Sequence, residues 1–201
     1  MSNATALLWT LVAFLSGSLP FSPLLARLFL RTDIRQVGDG NPGSTNVLRA
    51  GGLAIGLLAM LLDFFKAAIP VGLAFFFYRP PLVWMVVIAL APIFGHAFSP
   101  FLKGQGGKAV AATFGIWAGL TLGEVPLLLA FAVITFALTL NSSAWSVLFG
   151  MAALLPHLLI NHSNNPLLLL VWVGNTALLA YKHRSELPSG VQLRHYIRRK
   201  I

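Results

Sequence analysis

The run Leu53-Ala-Ile-Gly-Leu-Leu-Ala-Met-Leu-Leu-Asp63-Phe-Phe-Lys66-Ala-Ala-Ile-Pro70-Val-Gly-Leu-Ala-Phe-Phe-Phe77 is apolar throughout except for one acid and one base. A bilayer core about 30 Å thick asks for roughly 20 such residues in a helix, so this stretch reads as a membrane span. Asp63 and Lys66 stand three positions apart and share a helix face. An unpaired charge at membrane depth is costly, so the two are expected to pair with each other or to face a site.

The whole chain follows that pattern. Of its 201 residues, 57% are hydrophobic and only 9% are charged, with a mean hydropathy of +0.82. A soluble domain usually carries about 25% charged residues. An all-α, polytopic integral membrane protein is the class that remains, as one domain over 1–201 with a basic tail at about 182–201. There is no cysteine, which excludes disulfides, thiolate metal sites and cysteine nucleophiles. The net charge of +9 comes in short clusters between apolar runs, a placement that speaks for membrane orientation rather than nucleic acid.

Seven spans are expected, at Thr5–Leu28, Leu53–Phe77, Pro81–Phe98, Lys108–Leu122, Val125–Leu140, Ser143–Ile160 and Pro166–Tyr181. The fourth and fifth are short, separated only by Gly123 and Glu124, and six spans is the alternative. The N-terminus lacks the basic region of a secretory signal, so the first run reads as a retained helix. Basic residues gather after span one (Arg31, Arg35), before span four (Lys103, Lys108) and after span seven, where Lys182, Arg184, Arg194, Arg198, Arg199 and Lys200 follow. The positive-inside rule then puts the N-terminus outside and the C-terminus in the cytoplasm. On that topology the polar clusters all converge on the cytoplasmic face.

The first of these clusters is the loop Asp33 to Gly52, with Gly38, Gly40 and Gly43 around Asn41 and Pro42, followed by Ser44, Thr45, Asn46 and Arg49. Glycines let backbone N–H groups approach an anion, and arginine grips phosphate oxygens with a planar fork. If a helix begins near Ser44, its first amides add to that attraction. The second cluster, Gly95-His96 through Gly104-Gln105-Gly106-Gly107-Lys108, is superficially like a P-loop but lacks the strand and the Gly-Lys-Ser/Thr order. It still offers loop glycines and a cation near a helix start. Ser16-Gly17-Ser18-Leu19-Pro20 reads as close helix packing with a loosened backbone. Asn141-Ser142-Ser143 fits a turn with a serine N-cap, and His157 and His162, near no cluster, read as core or interfacial residues. Neither a Ser-His-Asp order nor a carboxylate cage for a metal is evident.

Taken in order, Gly17-Ser18, Gly38-Asp39-Gly40-Asn41-Pro42-Gly43-Ser44-Thr45-Asn46 with Arg49, Asp63 and Lys66, Gly95-His96, Gly106-Gly107-Lys108, Ser142-Ser143 and His183-Arg184 resemble the bacterial acyl-phosphate:glycerol-3-phosphate acyltransferase family, PlsY, nearly end to end. The resemblance implies a seven-helix enzyme of the inner (plasma) membrane with its active site on the cytoplasmic face. It would transfer a fatty acyl group from acyl phosphate to the 1-hydroxyl of glycerol 3-phosphate in phospholipid synthesis, without a cofactor or metal. Membrane lipid and the acyl-phosphate-forming enzyme are the partners it implies, and no nucleic acid.

By position, Arg49, Lys108 and His183 would hold phosphate groups and Gly106 and Gly107 would supply loop amides. Ser142 or Ser143 would assist, Gly38, Gly40, Asn41, Gly43, Thr45, Asn46 and Glu186 would line the substrate, and His183, Ser142 and Asp39 are the candidate catalytic groups. Three positions depart from the family pattern: Asp39 and Glu186 replace neutral residues, and Gln105 replaces a lysine. The added carboxylates would repel phosphate unless Arg35, Arg49, Lys103 or Arg184 neutralises them. A divergent paralogue that has lost catalysis or has lost or altered acceptor specificity is therefore an alternative reading. A small transporter or lipid-binding protein is another, disfavoured by the absence of repeated halves.

Overall fold

The computed structural model describes residues 2–198, the side chains of Tyr196 and Arg198 excepted. Arg199 and Lys200 of the basic tail, and the side chain of Arg198, lie outside the described residues. The helices are α1 Asn3–Ser18, α2 Phe21–Leu25, α3 Ser44–Leu73, α4 Leu82–Ala97, α5 Val110–Thr121, α6 Glu124–Thr139, α7 Ser143–Asn161, α8 Pro166–His183 and the short α9 His195–Arg198. Among the described residues there is no strand, only an isolated bridge between Leu140 and Leu193. Each expected apolar run is thus helical. Among the described residues, four stretches are long and apolar enough to cross a bilayer, Asn3–Leu30, Ser44–Tyr78, Leu82–Leu102 and Ser143–Asn161. Large apolar side chains such as Leu8, Phe65, Phe77, Phe131 and Ile160 point outward, as lipid-facing residues do.

The chain groups into two compact units, residues 1–120 and 121–201. In the first, α1 and α4 cross where both helices carry glycine. A Cβ at Gly17 would strike the Pro92 backbone, and one at Gly95 would lie against the Phe14 carbonyl and 2.9 Å from Ser18 Oγ. Gly119 does the same for α5 on α3, where a Cβ would come within 2.9 Å of Ala68 O and Gly72 N. Such small-residue contacts let membrane helices approach closely.

The first expected span is not one helix. It breaks at Leu19–Pro20 and resumes as α2, because Pro20 and Pro23 have no N–H to continue the ladder. The carbonyls released by this break, and by Pro70 within α3, find partners on other helices. Lys66 Nζ donates to Leu19 O at 2.7 Å, and Ser99 Oγ donates to Ser18 O at 2.6 Å. The Lys66 carbonyl, which would face the missing N–H of Pro70, accepts from Ser16 Oγ at 2.7 Å. Asp63 and Lys66 pair at 2.6 Å, and Ser22 Oγ on α2 donates to the other carboxylate oxygen at 2.6 Å. The i, i+3 pairing is as the sequence spacing suggests. Its further partners, Leu19 and Ser22, lie in the broken first span.

In the second unit, α6 and α7 form a hairpin through Leu140–Ser142, with Gly150 against Val133. The residues after α8 fold back along its turn: Asn141 N donates to Gln192 O at 2.8 Å and Arg194 N to Thr139 O at 2.9 Å. Arg194 Nε also donates to Leu140 O at 3.1 Å, so this part of the basic tail is tied to the hairpin rather than left for headgroups.

Replacing Lys66 with Met should strand the buried Asp63 carboxylate and cost about 3–5 kcal/mol. The double replacement Asp63→Leu, Lys66→Met should recover most of that loss. Thermal unfolding in detergent measures both, and a single variant as stable as the parent would show that the pair is not what holds α1, α2 and α3 together.

Candidate active site

In the first unit the glycine-rich loop closes on the Gly106–Lys108 segment through Asp39. The helix α3 starts at Ser44, with Gly43 as its N-cap residue, and a kink at Gly52 (φ 77°) separates its first turns from the span proper. Gly38 and Gly40 take positive φ, 62° and 72°, a conformation glycine adopts without penalty. These turns bring the Asp39 carboxylate against Lys108 Nζ in a salt bridge. The same carboxylate accepts from Asn46 Nδ2 at 2.8 Å and from the Asn41 N–H at 3.2 Å.

Asn46 is buried and its amide is fixed in orientation. Its Nδ2 also donates to Asn41 O at 2.9 Å, while its Oδ1 accepts from Arg49 Nη1 at 3.1 Å. Lys108, Asp39, Asn46 and Arg49 therefore form one continuous polar string. Thr45 and Arg49 are exposed beside it.

Asp39 is thus neutralised by Lys108, and not by Arg35, Arg49 or Lys103, the cations expected from the sequence. Partial burial raises its carboxyl, but the hydrogen bonds from Lys108, Asn46 and the Asn41 amide, with the lysine charge, outweigh that and hold it at about 2, below the ordinary 3.8. A carboxylate so stabilised is a weak proton acceptor near neutral pH, which argues against Asp39 as a general base.

The second glycine pair has a packing role that the sequence did not suggest. Gly107 N–H donates to His96 O at 3.1 Å, and a Cβ at Gly106 would strike the same carbonyl. These glycines permit the segment to lie on the end of α4, and the Gly107 amide is committed there rather than turned to an anion. Lys108 precedes α5 by two residues, with Ala109 at φ 62°.

His96 Nδ1 lies 3.9 Å from Asp63 Oδ1. A cavity of about 10 Å³ opens among Ser18, Pro42, Asp63, Lys66, His96 and Gly107, roughly the volume for a single water. A larger apolar groove of about 340 Å³ runs between α1 and α3, lined by Trp9, Val12, Phe65 and Ile69 with Lys66 at its edge.

In the second unit, Ser142 is the N-cap of α7, its Oγ accepting from Trp145 N at 3.5 Å. Ser143 Oγ donates to Glu186 Oε2 at 2.8 Å, so Glu186 is tied to a serine of the Ser142-Ser143 pair rather than to Arg184. Arg184 itself donates to Tyr181 O at 2.7 Å and stacks over the Tyr181 ring at 4.1 Å. His183 is buried and its Nδ1 contacts Leu179 O at 2.9 Å. A carbonyl can only accept, so Nδ1 carries the hydrogen. His157 and His162, read from sequence as isolated, both reach Glu124, at 2.8 and 2.9 Å.

A sequence profile described as "Glycerol-3-phosphate acyltransferase" matches residues 7–192. The chain is 40% identical over 88% of its length, and 93% of the relative's, to "Glycerol-3-phosphate acyltransferase 1" of Thermotoga maritima. It is 34% identical to the glycerol-3-phosphate acyltransferase of Listeria welshimeri, over 90% of each chain. Its fold matches the crystal structure of PlsY, an integral membrane glycerol 3-phosphate acyltransferase, in the glycerol 3-phosphate form. There the TM-score is 0.83 and the identity 28%, over 92% of this chain and 90% of that one. The lysophosphatidic acid form of that protein matches with a TM-score of 0.79 and 27% identity.

The Asp39 carboxyl, observed by NMR in micelles, should titrate near 2 and move up toward 3.8 when Lys108 is replaced by Met. Because the folded value is depressed, the stability it contributes is fully present above about pH 4 and is lost as pH falls through 2. An Asp39 titration unaffected by the loss of Lys108 would mean that the bridge is not formed in solution.

Proposed function

From a chain that belongs to the glycerol-3-phosphate acyltransferase family, we propose an enzyme whose acyl donor is acyl phosphate and whose acceptor is the 1-hydroxyl of glycerol 3-phosphate. It is a membrane acyltransferase of phospholipid synthesis. The observation that carries the site reading is the Lys108–Asp39–Asn46–Arg49 string: two cations tied to one loop, set where an anionic substrate would meet them. Support for the acceptor comes from the glycerol 3-phosphate and lysophosphatidic acid forms of the PlsY neighbour.

In this reading Arg49 is the principal phosphate contact. Its Nη1 is anchored on Asn46, while the rest of an exposed guanidinium fork suits two phosphate oxygens. Asp39 positions Lys108 and Asn46. Gly38, Gly40, Asn41, Gly43 and Thr45 shape the substrate-facing loop, and Gly106 and Gly107 set the path of the Lys108 segment. His183, Ser142, and Ser143 with Glu186 are further substrate contacts, each tested by its own replacement.

The chemistry needs no activation of the donor. The acceptor oxygen attacks the acyl carbonyl carbon, the bond from that carbon to the phosphate oxygen breaks, and phosphate departs with the electron pair. A phosphate oxygen of the substrate takes the hydroxyl proton. Positioning and electrostatic stabilisation then carry the rate. The basic clusters support seven spans with the N-terminus outside and the C-terminus and loop on the cytoplasmic side of the inner membrane. The acyl-phosphate-forming enzyme is the natural partner.

Purified protein in lipid, given acyl phosphate and glycerol 3-phosphate, should release phosphate and form lysophosphatidate in equal amounts. Activity with acyl-CoA alone would overturn the donor. Arg49→Ala and Lys108→Ala should each raise the acceptor KM at least about tenfold, the equivalent of ~1.4 kcal/mol. Arg49→Lys should not restore it, because a point charge cannot replace a fork; kinetics unchanged in all three variants would remove both residues from the site.

A further inference from the structure

At the end of the α6–α7 hairpin opposite Ser142 and Ser143, three side chains that the acyl transfer does not use come together. Glu124 is the first residue of α6, His157 lies near the end of α7, and His162 is the residue that caps it. We infer that Glu124, His157 and His162 form a binding site for a divalent transition-metal ion of the zinc class, which clamps the open end of this hairpin.

Both imidazoles turn the same nitrogen, Nε2, to the same oxygen, Glu124 Oε1, at 2.8 and 2.9 Å. The three ligand atoms all lie within 4.8 Å of one another, and the two rings are 5.6 Å apart at 61° to each other. Zinc bound tetrahedrally at about 2.0–2.2 Å spaces its nitrogen and oxygen ligands about 3.4 Å apart. The two histidine–glutamate separations therefore need to open by only about half an ångström to admit the ion. Two imidazoles and one carboxylate suit zinc and its neighbours far better than magnesium or calcium, which take oxygen ligands.

The surroundings fit the same assignment. Asn161 Nδ2 lies 3.2 Å from His157 Nδ1 and 3.2 Å from the His157 carbonyl, holding the ring in place. Binding a metal through Nε2 puts the imidazole proton on Nδ1, so Asn161 then releases that nitrogen and keeps its bond to the His157 carbonyl. The histidine side chains are 25% and 23% exposed and Glu124 45%, so water can reach the fourth coordination position. The covalent turn between Thr139 and Ser143 closes one end of the hairpin; the ion closes the other.

The competing reading is a hydrogen-bonded His–Glu–His group that holds no ion, and one experiment separates them. Full-length protein in detergent, freed of any histidine tag and stripped with chelator, is titrated with Zn²⁺ by calorimetry and with Co²⁺ by visible absorption. The expected result is saturable binding of about one ion per chain, a tetrahedral Co²⁺ spectrum, and a Zn²⁺-dependent rise in the unfolding temperature. The variant His157→Gln, His162→Gln keeps amide donors for Glu124 but offers no imidazole, so it should lose all three signals while retaining acyltransferase turnover. His195→Ala is the control for the remaining exposed histidine and should change nothing. Absent saturable binding, or binding undiminished in the double glutamine variant, overturns the site.

Discussion

The first unit depends on the buried pair Asp63–Lys66 and on what it does for a broken helix. Two charges taken from water cost several kcal/mol each, and their attraction offsets that only where the remaining donors and acceptors are also satisfied. Here the neighbouring backbone supplies what is missing. Pro20 and Pro23 interrupt the first span and leave carbonyls without a helical partner, and Lys66 takes that of Leu19. Ser22, on the short helix after the break, returns a hydroxyl to Asp63. The ion pair and the helix break each solve the other's unsatisfied groups.

That arrangement fixes more than α1 and α3. Gly17 and Gly95 press α1 and α4 together, and His96, one residue on, places its Nδ1 3.9 Å from Asp63. The His96 carbonyl holds the Gly107 amide, and so the position of Lys108 follows from the packing of three helices below it. The polar string of the site is built at the upper end of this same stack. A change in the membrane-buried pair would be felt at Lys108 through ordinary contacts.

Much of this was legible in the sequence, and the division follows the range of the interaction. Apolar runs gave the helices, because length and hydropathy are local properties. The i, i+3 spacing gave the Asp63–Lys66 pair, and the Ser142 N-cap was readable as such. Partners distant along the chain were not legible: Lys108 lies 69 positions from Asp39, and His157 and His162 lie 33 and 38 from Glu124. For the last three, scattered single residues carry no pattern until two helices are set side by side. The close crossing at Gly106 and Gly107 was not legible for another reason. A glycine pair beside a lysine suits an anion cradle and a close backbone crossing equally well, and only the position of the His96 carbonyl distinguishes them.

Asp39 shows how an acid can sit within the proposed phosphate site. A like-charge contact at about 4 Å would cost roughly 4 kcal/mol at an effective dielectric of 20, if the carboxylate faced the substrate unpaired. It does not stand unpaired: one oxygen takes Asn46 and the Asn41 amide, the other takes Lys108. With Lys108 and Arg49 at the two ends of the string and one carboxylate between them, the group keeps a net positive charge. The acid lowers the attraction for phosphate, and in return it orders Asn46, which in turn orients Arg49. A neutral residue at this position could supply the hydrogen bonds of the loop but not the charge that holds Lys108. In the proposed site, Asp39 exchanges part of the electrostatic pull for preorganisation of the two cations.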